Sequence, residues 1–172
     1  LVDPESLTQL LVPIFDPKAW CALPTVTKGL PASPGAASGH VVFTADDAVL
    51  CERNGEPALL VRKETVPDDI HGMEVAAGIL TSRGGMTSHA AVVARGMGKC
   101  CVAGVQDLQI DETGQRVKIG GKSYQEGDFI TLDGSNGRVI EGKARTVEVD
   151  PSQGYLADFM AIADKLRKLA VR

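Results

Sequence analysis

Two short, continuous apolar runs constrain this chain more than any other feature of its sequence. They are PALLVRK at residues 57–63 and AAGILTS at 76–82. Apolar runs of this length, bounded by turn residues, are typical of buried strands. A segment with helix-start residues follows each run, so the sequence predicts a mixed α/β fold with short helices between buried strands.

The predicted helices are short and have recognisable ends. Thr44, directly after the predicted strand VVF at 41–43, is a good N-cap residue for a helix that begins with two acidic residues. The segment VPDDIHGME predicts a helix of one turn. A longer helix is predicted over about 87–96, where two glycines end it.

The second half of the chain is richer in β-structure. QRVKI, DFITLDG and GRVIEG are short β-type runs separated by glycine-containing turns. We therefore predict one compact domain over 25–148, between an N-terminal linker at 1–24 and a C-terminal linker helix at 149–172. Prolines interrupt the first linker, and the second has apolar residues at helical spacing with a basic outer face.

Composition excludes several classes of protein. The 172 residues are 44% apolar and 23% charged, and the formal net charge is −4. This acidic balance argues against nucleic acid or an anionic membrane as the main partner. No stretch approaches the roughly 20 apolar residues of a membrane span, and the N-terminus lacks a signal peptide and an initiator methionine. We expect a soluble, intracellular piece of a larger protein.

The cysteines and two of the three histidines give no sign of a metal site. His40 and His71 are isolated, and the cysteines form no CxxC pair: Cys21, Cys51, Cys100 and Cys101. Such spacing is unlike that of zinc ligands. We expect reduced and largely buried thiols, ordinary structural roles for both histidines, and no metal bound by this domain.

The third histidine lies in an unusual setting, TSRGGMTSHAAVVARGMG at 81–98. Gly84 and Gly85 end a predicted strand and allow a ligand to approach the backbone closely. Thr87 or Ser88 is suited to cap the helix that follows, and His89 then falls in its first turn. The free backbone N–H groups and the dipole of that turn favour a bound anion.

The surroundings of His89 favour nucleophilic chemistry over metal binding. The residues three and four positions later are valines, which cannot be ligands, and the nearest downstream carboxylate is Asp107. A neutral imidazole can attack a phosphoryl group to give phosphohistidine. Small residues, Ala90, Ala91 and Ala94, would leave room for large partners to approach. The residues alone leave open that His89 merely caps a buried helix.

At these residues the sequence resembles a known family. TSRGGMTSHAAVVARGMGKCCVAG is similar to the phosphohistidine signature of the pyruvate phosphate dikinase family. Phosphoenolpyruvate synthases and enzyme I proteins of the sugar phosphotransferase system share its GG-x-[TS]-x-H core, but Met86, the run at 90–96 and the pair Cys100-Cys101 resemble the dikinases. Supporting stretches are QLLVPIFDP (9–17), GLPASPGAASG (29–39), VFTADDA (42–48), LVRKETVPDDIHGM (60–73) and EGDFITLDGSNGRVIEG (126–142).

The resemblance implies a fold and a function. The fold would be a β/β/α swivelling domain that carries pyrophosphoryl and then phosphoryl groups on His89. Its partners would be an ATP-grasp nucleotide domain and a TIM-barrel pyruvate domain of the same polypeptide, which binds Mg²⁺. The whole enzyme, a homodimer, converts ATP, phosphate and pyruvate to AMP, pyrophosphate and phosphoenolpyruvate. It would reside in the cytoplasm, a plastid or a glycosome, and both linkers would act as hinges.

The resemblance also suggests roles around His89. Gly84 and Gly85 would shape the loop, and Ser88 would support it. Thr87 matches a threonine that a regulatory protein phosphorylates in plant enzymes, and its alternative role is to cap the helix and bond the imidazole. Arg83 and Arg95 are possible phosphate neutralisers, although Arg95 lies about 240° round the helix from His89, which favours solvent or interface contacts for it.

Two other functions remain open from the sequence. The first is the same carrier chemistry in a phosphoenolpyruvate synthase, where water replaces phosphate as an acceptor. The second is a docking module that has kept the fold but not the phosphorylation. We also expect that His89→Asn leaves the fold intact, because a residue at the start of a helix contributes little to stability.

Overall fold

The computed structural model of the protein describes residues 13–15, 24–111, 115–147, 161–162 and 164–165. Its helices are α1 (Ala45–Arg53), α2 (Ile70–Val75), which a 3-10 turn at Pro67–Asp69 precedes, and α3 (His89–Gly96). Its strands are β1 (Ile14–Phe15), β2 (Thr25–Lys28), β3 (Leu30–Ser33), β4 (Ala36–Val42), β5 (Ala58–Arg62), β6 (Gly78–Thr81), β7 (Cys100–Ala103), β8 (Leu108–Asp111), β9 (Arg116–Ile119), β10 (Lys122–Gln125), β11 (Phe129–Asp133), β12 (Arg138–Glu141) and β13 (Thr146–Val147).

The predicted mixed α/β class is confirmed, and most predicted elements form. Both apolar runs are strands, β5 and β6, and their side chains are almost completely buried. The cap is also confirmed, since Thr44 Oγ1 accepts a hydrogen bond from the Asp47 N–H at 3.1 Å. Seven short strands of the described residues were not predicted: β1, β2, β3, β7, β8, β10 and β13.

The central sheet has eight strands in the order β2-β12-β11-β4-β5-β6-β7-β3. Its middle four strands, β4 to β7, run parallel, and the strands on either side pair antiparallel with them. Strands β5, β6 and β7 are nearly continuous apolar runs, as expected of parallel strands that helices or a second sheet cover on both faces. Their carboxyl ends therefore meet at one edge of the sheet.

Three layers build the domain, as the β/β/α expectation requires. One face of the central sheet packs against the antiparallel sheet β10-β9-β8, and the core between them includes Leu59, Val61, Val117 and Ile119. The helices cover the opposite face, where Leu60 contributes to a separate core. Successive residues of β5 thus alternate between two buried layers.

Gly29 joins the two edges of the central sheet. It is the single residue between β2 and β3, which lie at opposite ends of the strand order. Its N–H donates to the Gly137 carbonyl at 2.7 Å. A side chain would not fit, because a Cβ at this position would lie 2.5 Å from Val105 Cγ2 and 2.7 Å from the Ala103 oxygen. One chain segment thereby protects both sheet edges.

The predicted N-terminal linker pairs with the last strand of the predicted domain. Ile14 and Phe15 of β1 pair antiparallel with β13, and the Pro13 carbonyl accepts a hydrogen bond from the Ala36 N–H at 2.8 Å. Most of 1–24 and 149–172 lies outside the described residues. The described residues of the second range are 161, 162, 164 and 165, and they are helical. The domain limits at 24/25 and 148/149 remain a prediction.

Three of the four cysteines lie in the described part of the chain and are free thiols. Cys100 and Cys101 are buried in β7, and Cys51 is half-buried in α1. Burial raises the pKa of the Cys101 thiol to about 12, with a smaller opposing effect from Arg95, and it raises the pKa of Cys100 as well. Both thiols are protonated at neutral pH, which agrees with the predicted structural role. Cys21 is outside the described residues.

None of the helices in the described residues is long and apolar enough to cross a membrane.

Helices α1 and α2 approach each other closely at Gly72. A Cβ at this position would lie 2.4 Å from the Ala45 Cα and 2.8 Å from its oxygen. We therefore expect Gly72→Ala to lower the free energy of unfolding by about 1–3 kcal/mol, because the helices must separate. Urea denaturation measures the change. Gly96→Ala is the control, since a Cβ there meets nothing within 4 Å; equal effects of the two substitutions would contradict the close-packing argument.

Candidate functional site

The site lies at the carboxyl edge of the parallel strands. The loop after β5 carries Thr65, and the loop after β6 leads through two glycines to His89 at the start of α3. The two loops contact each other, since the Arg83 N–H donates to the Lys63 carbonyl at 2.8 Å. Ligands of open α/β sheets bind outside the carboxyl ends of the strands, so this edge is where a site is expected.

Gly84 permits the turn that brings the chain from β6 into α3. Its φ of +106° falls in the left-handed region, and a Cβ would lie 2.8 Å from that of Ser88. The loop is closed by bonds from Thr81 Oγ1 to the Arg83 carbonyl at 2.8 Å and from the Ser88 N–H to the Gly85 carbonyl at 3.0 Å. Both glycines therefore lie in the loop that the sequence predicted they would shape.

Ser88 caps α3, and Thr87 does not. The Ser88 backbone is extended, with ψ of 160°, and its Oγ accepts from the Ala91 N–H at 3.4 Å. Thr87 is exposed one residue earlier. Its alternative interpretation, a cap that also bonds the imidazole, is wrong, because Ser88 provides the cap and the imidazole bonds another residue. Sequence left this choice open because both residues have suitable side chains.

Thr65 holds the imidazole of His89. Its Oγ1 lies 3.0 Å from His89 Nδ1. Thr65 is only 5% exposed, whereas His89 is half-buried at the surface of the loop. A hydrogen bond at one ring nitrogen fixes the orientation of the ring and leaves the other, Nε2, as the nitrogen for chemistry. Sequence reasoning missed Thr65, because an isolated threonine after a strand carries no local signal.

The alanines after His89 face the protein interior. Ala90, Ala91 and Ala94 are at most 2% exposed and belong to the core between the helices and the sheet. The interpretation that they leave room for partner proteins is therefore wrong. Their small size instead allows α3 to pack closely on β7, β3 and β6, while Val92 is 53% exposed on the outer face.

The two arginines differ in what they contact. Arg95 reaches back along α3, where its Nη2 donates to the Met86 carbonyl at 2.6 Å and its Nη1 to the Ala32 carbonyl at 3.4 Å. Its guanidinium thus braces the histidine loop, rather than only meeting solvent or an interface. Arg83 is exposed, and its backbone rather than its side chain ties the two loops together.

Backbone donors are available at the start of α3. The first four N–H groups of a helix lack intrahelical partners. Here the Ser88 N–H is used within the loop and the Ala91 N–H by the cap. In the part of the chain that the structure describes, this leaves the N–H groups of His89 and Ala90 for an anion. The positive end of the helix dipole adds to the attraction.

The remaining histidines are tied elsewhere. His40 Nδ1 lies 2.6 Å from the Gly127 carbonyl, and its ring packs edge-on against Phe129. His71 Nε2 lies 3.1 Å from Asp46 Oδ1 at an exposed position. The described residues include no group of three or more His, Cys, Asp or Glu side chains that could hold a metal ion.

The cap assignment predicts different effects for two adjacent residues. Ser88→Ala should destabilise the domain by about 0.5–1 kcal/mol, because the Ala91 N–H loses its acceptor. Thr87→Ala is the matched control and should change stability by less than about 0.5 kcal/mol, because Thr87 is exposed. Thermal and urea unfolding measure both variants. A larger loss for Thr87→Ala than for Ser88→Ala would contradict the assignment.

Comparison with known proteins confirms the resemblance. A family model described as "PEP-utilising enzyme, mobile domain" matches residues 54–137. "Pyruvate, phosphate dikinase" of Clostridium symbiosum is 52% identical over 99% of this chain and 20% of its own length. "Pyruvate, phosphate dikinase 2" of Zea mays is 50% identical over 99% of this chain and 19% of its own length. The chain spans about a fifth of the length of these curated relatives. It belongs to the PEP-utilising enzyme family, whose mobile domain it contains.

Proposed function

We propose that this chain is the phosphoryl-carrier domain of a pyruvate phosphate dikinase. The whole enzyme would convert ATP, phosphate and pyruvate to AMP, pyrophosphate and phosphoenolpyruvate, with His89 as the phosphorylated residue. The observation that carries the proposal is the placement of a half-buried imidazole at the start of α3, held at Nδ1 by Thr65. The identity to dikinases over 99% of the chain supports it.

The proposed chemistry uses the neutral imidazole with its proton on Nδ1. That N–H donates to Thr65 Oγ1, which leaves the Nε2 lone pair free to attack phosphorus. The Nε2–P bond forms as the P–O bond to AMP breaks, and the bonding electrons leave with the AMP oxygen. Phosphate then takes the terminal phosphoryl group to give pyrophosphate. Pyruvate, as its enolate, takes the remaining phosphoryl group, and neutral His89 is restored.

The start of α3 would stabilise the charged intermediate. The N–H groups of His89 and Ala90, with the helix dipole, favour the negative oxygens of a phosphoryl group near the ring. Arg83 is exposed beside this loop and is the better of the two arginines to neutralise them, because Arg95 is engaged with the Met86 and Ala32 carbonyls. Phosphorylation of Thr87 would place added negative charge two residues from His89 and hinder phosphorylation there.

The position of the linkers supports a carrier that moves. Strand β1 of the N-terminal linker and strand β13, which comes just before the C-terminal linker, lie beside Ala36 at the amino end of β4. His89 follows the carboxyl end of β6, which runs parallel to β4 through β5. The linkers therefore lie at the amino ends of the parallel strands, and the histidine lies at their carboxyl ends. A rotation about the linkers would therefore move His89 further than the rest of the domain. This movement would carry His89 between an ATP-grasp domain and a Mg²⁺-binding TIM barrel in the remainder of the polypeptide.

A phosphoenolpyruvate synthase or a docking module is the alternative. The Cys100-Cys101 pair, buried in β7, and the high identity to dikinases favour the dikinase. The alternatives differ in one requirement, since a synthase would form phosphoenolpyruvate from ATP and pyruvate without added phosphate. A docking module would not be phosphorylated on His89 by either ATP or phosphoenolpyruvate.

Phosphorylation of His89 can be tested directly. The full-length protein that carries this chain, incubated with radiolabelled phosphoenolpyruvate, should acquire label that is stable in alkali and lost in acid. His89→Asn should abolish the label and keep the melting temperature within a few degrees, because it alters one residue at a helix start. His71→Asn is the control and should be labelled normally, since His71 is exposed and pairs with Asp46. Label that survives His89→Asn would refute the proposal.

The role of Thr65 predicts a difference between two substitutions. Thr65→Val keeps the shape but removes the acceptor of the Nδ1–H, so the proton should redistribute to Nε2 and His89 should be phosphorylated about three- to tenfold more slowly. Thr65→Ser keeps the hydroxyl and should stay close to the wild-type rate. Ring nitrogen NMR shifts report the tautomer, and rapid-quench labelling reports the rate. Equal rates for Val and Ser would show that the hydroxyl is dispensable.

A further inference from the structure

Asp69 is a buried carboxylate that no step of the proposed chemistry uses. It is 6% exposed, and its Oδ2 accepts a hydrogen bond from the Val66 N–H at 2.9 Å. Although Asp69 directly precedes α2, its side chain makes no capping bond to that helix. The bond to the Val66 N–H is instead a capping contact at the start of the 3-10 turn Pro67–Asp69, so the carboxylate points back toward the loop that carries Thr65.

The carboxylate of Asp69 fixes the peptide unit next to Thr65. The Val66 N–H belongs to the peptide bond that joins Val66 to Thr65, so a bond to this group restrains the backbone of Thr65. The Asp69 N–H donates back to the Val66 carbonyl at 2.9 Å, which holds Val66 from both sides. With its backbone restrained, Thr65 can keep its hydroxyl at 3.0 Å from His89 Nδ1.

The two hydrogen bonds between Asp69 and Val66 form a bracket. Arg62 connects this bracket to the sheet. Its Nε lies 3.5 Å from Asp69 Oδ2, and its Nη1 donates to the Phe43 carbonyl at 3.1 Å. A buried carboxylate is costly without a cationic partner and hydrogen bonds. Arg62 is the last residue of β5, and Phe43 directly follows β4. The bracket is thereby anchored to two parallel strands rather than to the loop alone.

We propose that Asp69 is a positioning residue for the phosphohistidine, an inference that rests on the proposed function of His89. Asp69 holds the Val66 peptide, the peptide holds Thr65, and the Thr65 hydroxyl accepts the Nδ1–H of His89. The consequence is an imidazole that presents the lone pair of Nε2 to the incoming phosphorus. Arg62 keeps the Asp69 carboxylate in place, and neither residue contacts the transferred group.

Two substitutions at Asp69 separate this role from a merely structural one. Asp69→Ala removes the acceptor of the Val66 N–H, whereas Asp69→Asn keeps an oxygen in the same place. The 172-residue chain is treated with phosphoramidate, a small donor that phosphorylates imidazole with loss of ammonia. Asp69→Ala should slow the reaction of His89 about three- to tenfold and lower its Nδ1–H tautomer population, measured from ring nitrogen NMR shifts. Asp69→Asn should stay within about twofold of the wild type.

The pathway through Thr65 gives a second test. In a Thr65→Val background, Asp69→Ala should have no further effect on the tautomer or the phosphorylation rate of His89. Both substitutions remove the same hydrogen bond, directly or indirectly, at His89 Nδ1. If Asp69→Ala does not fold, Asp69→Glu, which displaces the acceptor by one methylene, should show the same loss. A folded Asp69→Ala or Asp69→Glu protein with wild-type tautomer and rate would overturn the proposal, as would additive effects with Thr65→Val.

The outcomes distinguish this inference from the proposed function. If phosphoenolpyruvate fails to label His89 in the full-length wild-type protein, the proposed function fails, whatever Asp69 does. If the wild type is labelled and Asp69→Ala leaves the tautomer unchanged, only the positioning role fails. His40 and His71 serve as internal controls in the phosphoramidate reaction, because their contacts with Gly127 and Asp46 do not involve the bracket.

Discussion

The parallel pairing of β4 to β7 is the constraint on which the site depends. Parallel strands end at the same edge of a sheet, so the loops after β5 and β6 emerge side by side. This places Thr65 against His89, although they are 24 positions apart in the chain. A bond between the Arg83 N–H and the Lys63 carbonyl reinforces the contact. Without this pairing, the histidine would start a helix but would have no partner at Nδ1.

The buried residues and the exposed residues around His89 lie on different sides of α3. The alanines of α3 draw the helix onto the sheet and contribute to the core, which fixes the position of His89 relative to the strands. The surface left for partners consists of the first turn, the exposed Met86 and Val92, and the loops. A half-buried histidine at the surface, held in a fixed position by the packing of its helix, suits a carrier because phosphoryl transfer depends on positioning.

The fold was predictable where local pattern and burial agree. The runs that form β5 and β6 are apolar on both faces. The cap at Thr44 depends on a bond to Asp47, only three positions along the chain. Two of the missed strands, β2 and β8, have four residues each, and most of these residues are exposed or half-buried. The pairing partner of β2 also lies far along the chain, since Thr27 pairs with Val139. A short strand of this kind is stabilised by neighbours that the local sequence does not identify.

The sequence by itself determined that His89 begins a helix after a glycine turn, and that its surroundings resemble a phosphohistidine signature. These properties depend on residues within a few positions of each other, where capping and backbone freedom are local. The tertiary structure decided which hydroxyl contacts the imidazole, that the alanines face the core, and that the Asp69 carboxylate accepts from the Val66 N–H next to Thr65. Those contacts join separate strands and loops, and only the packing of the sheet brings them together.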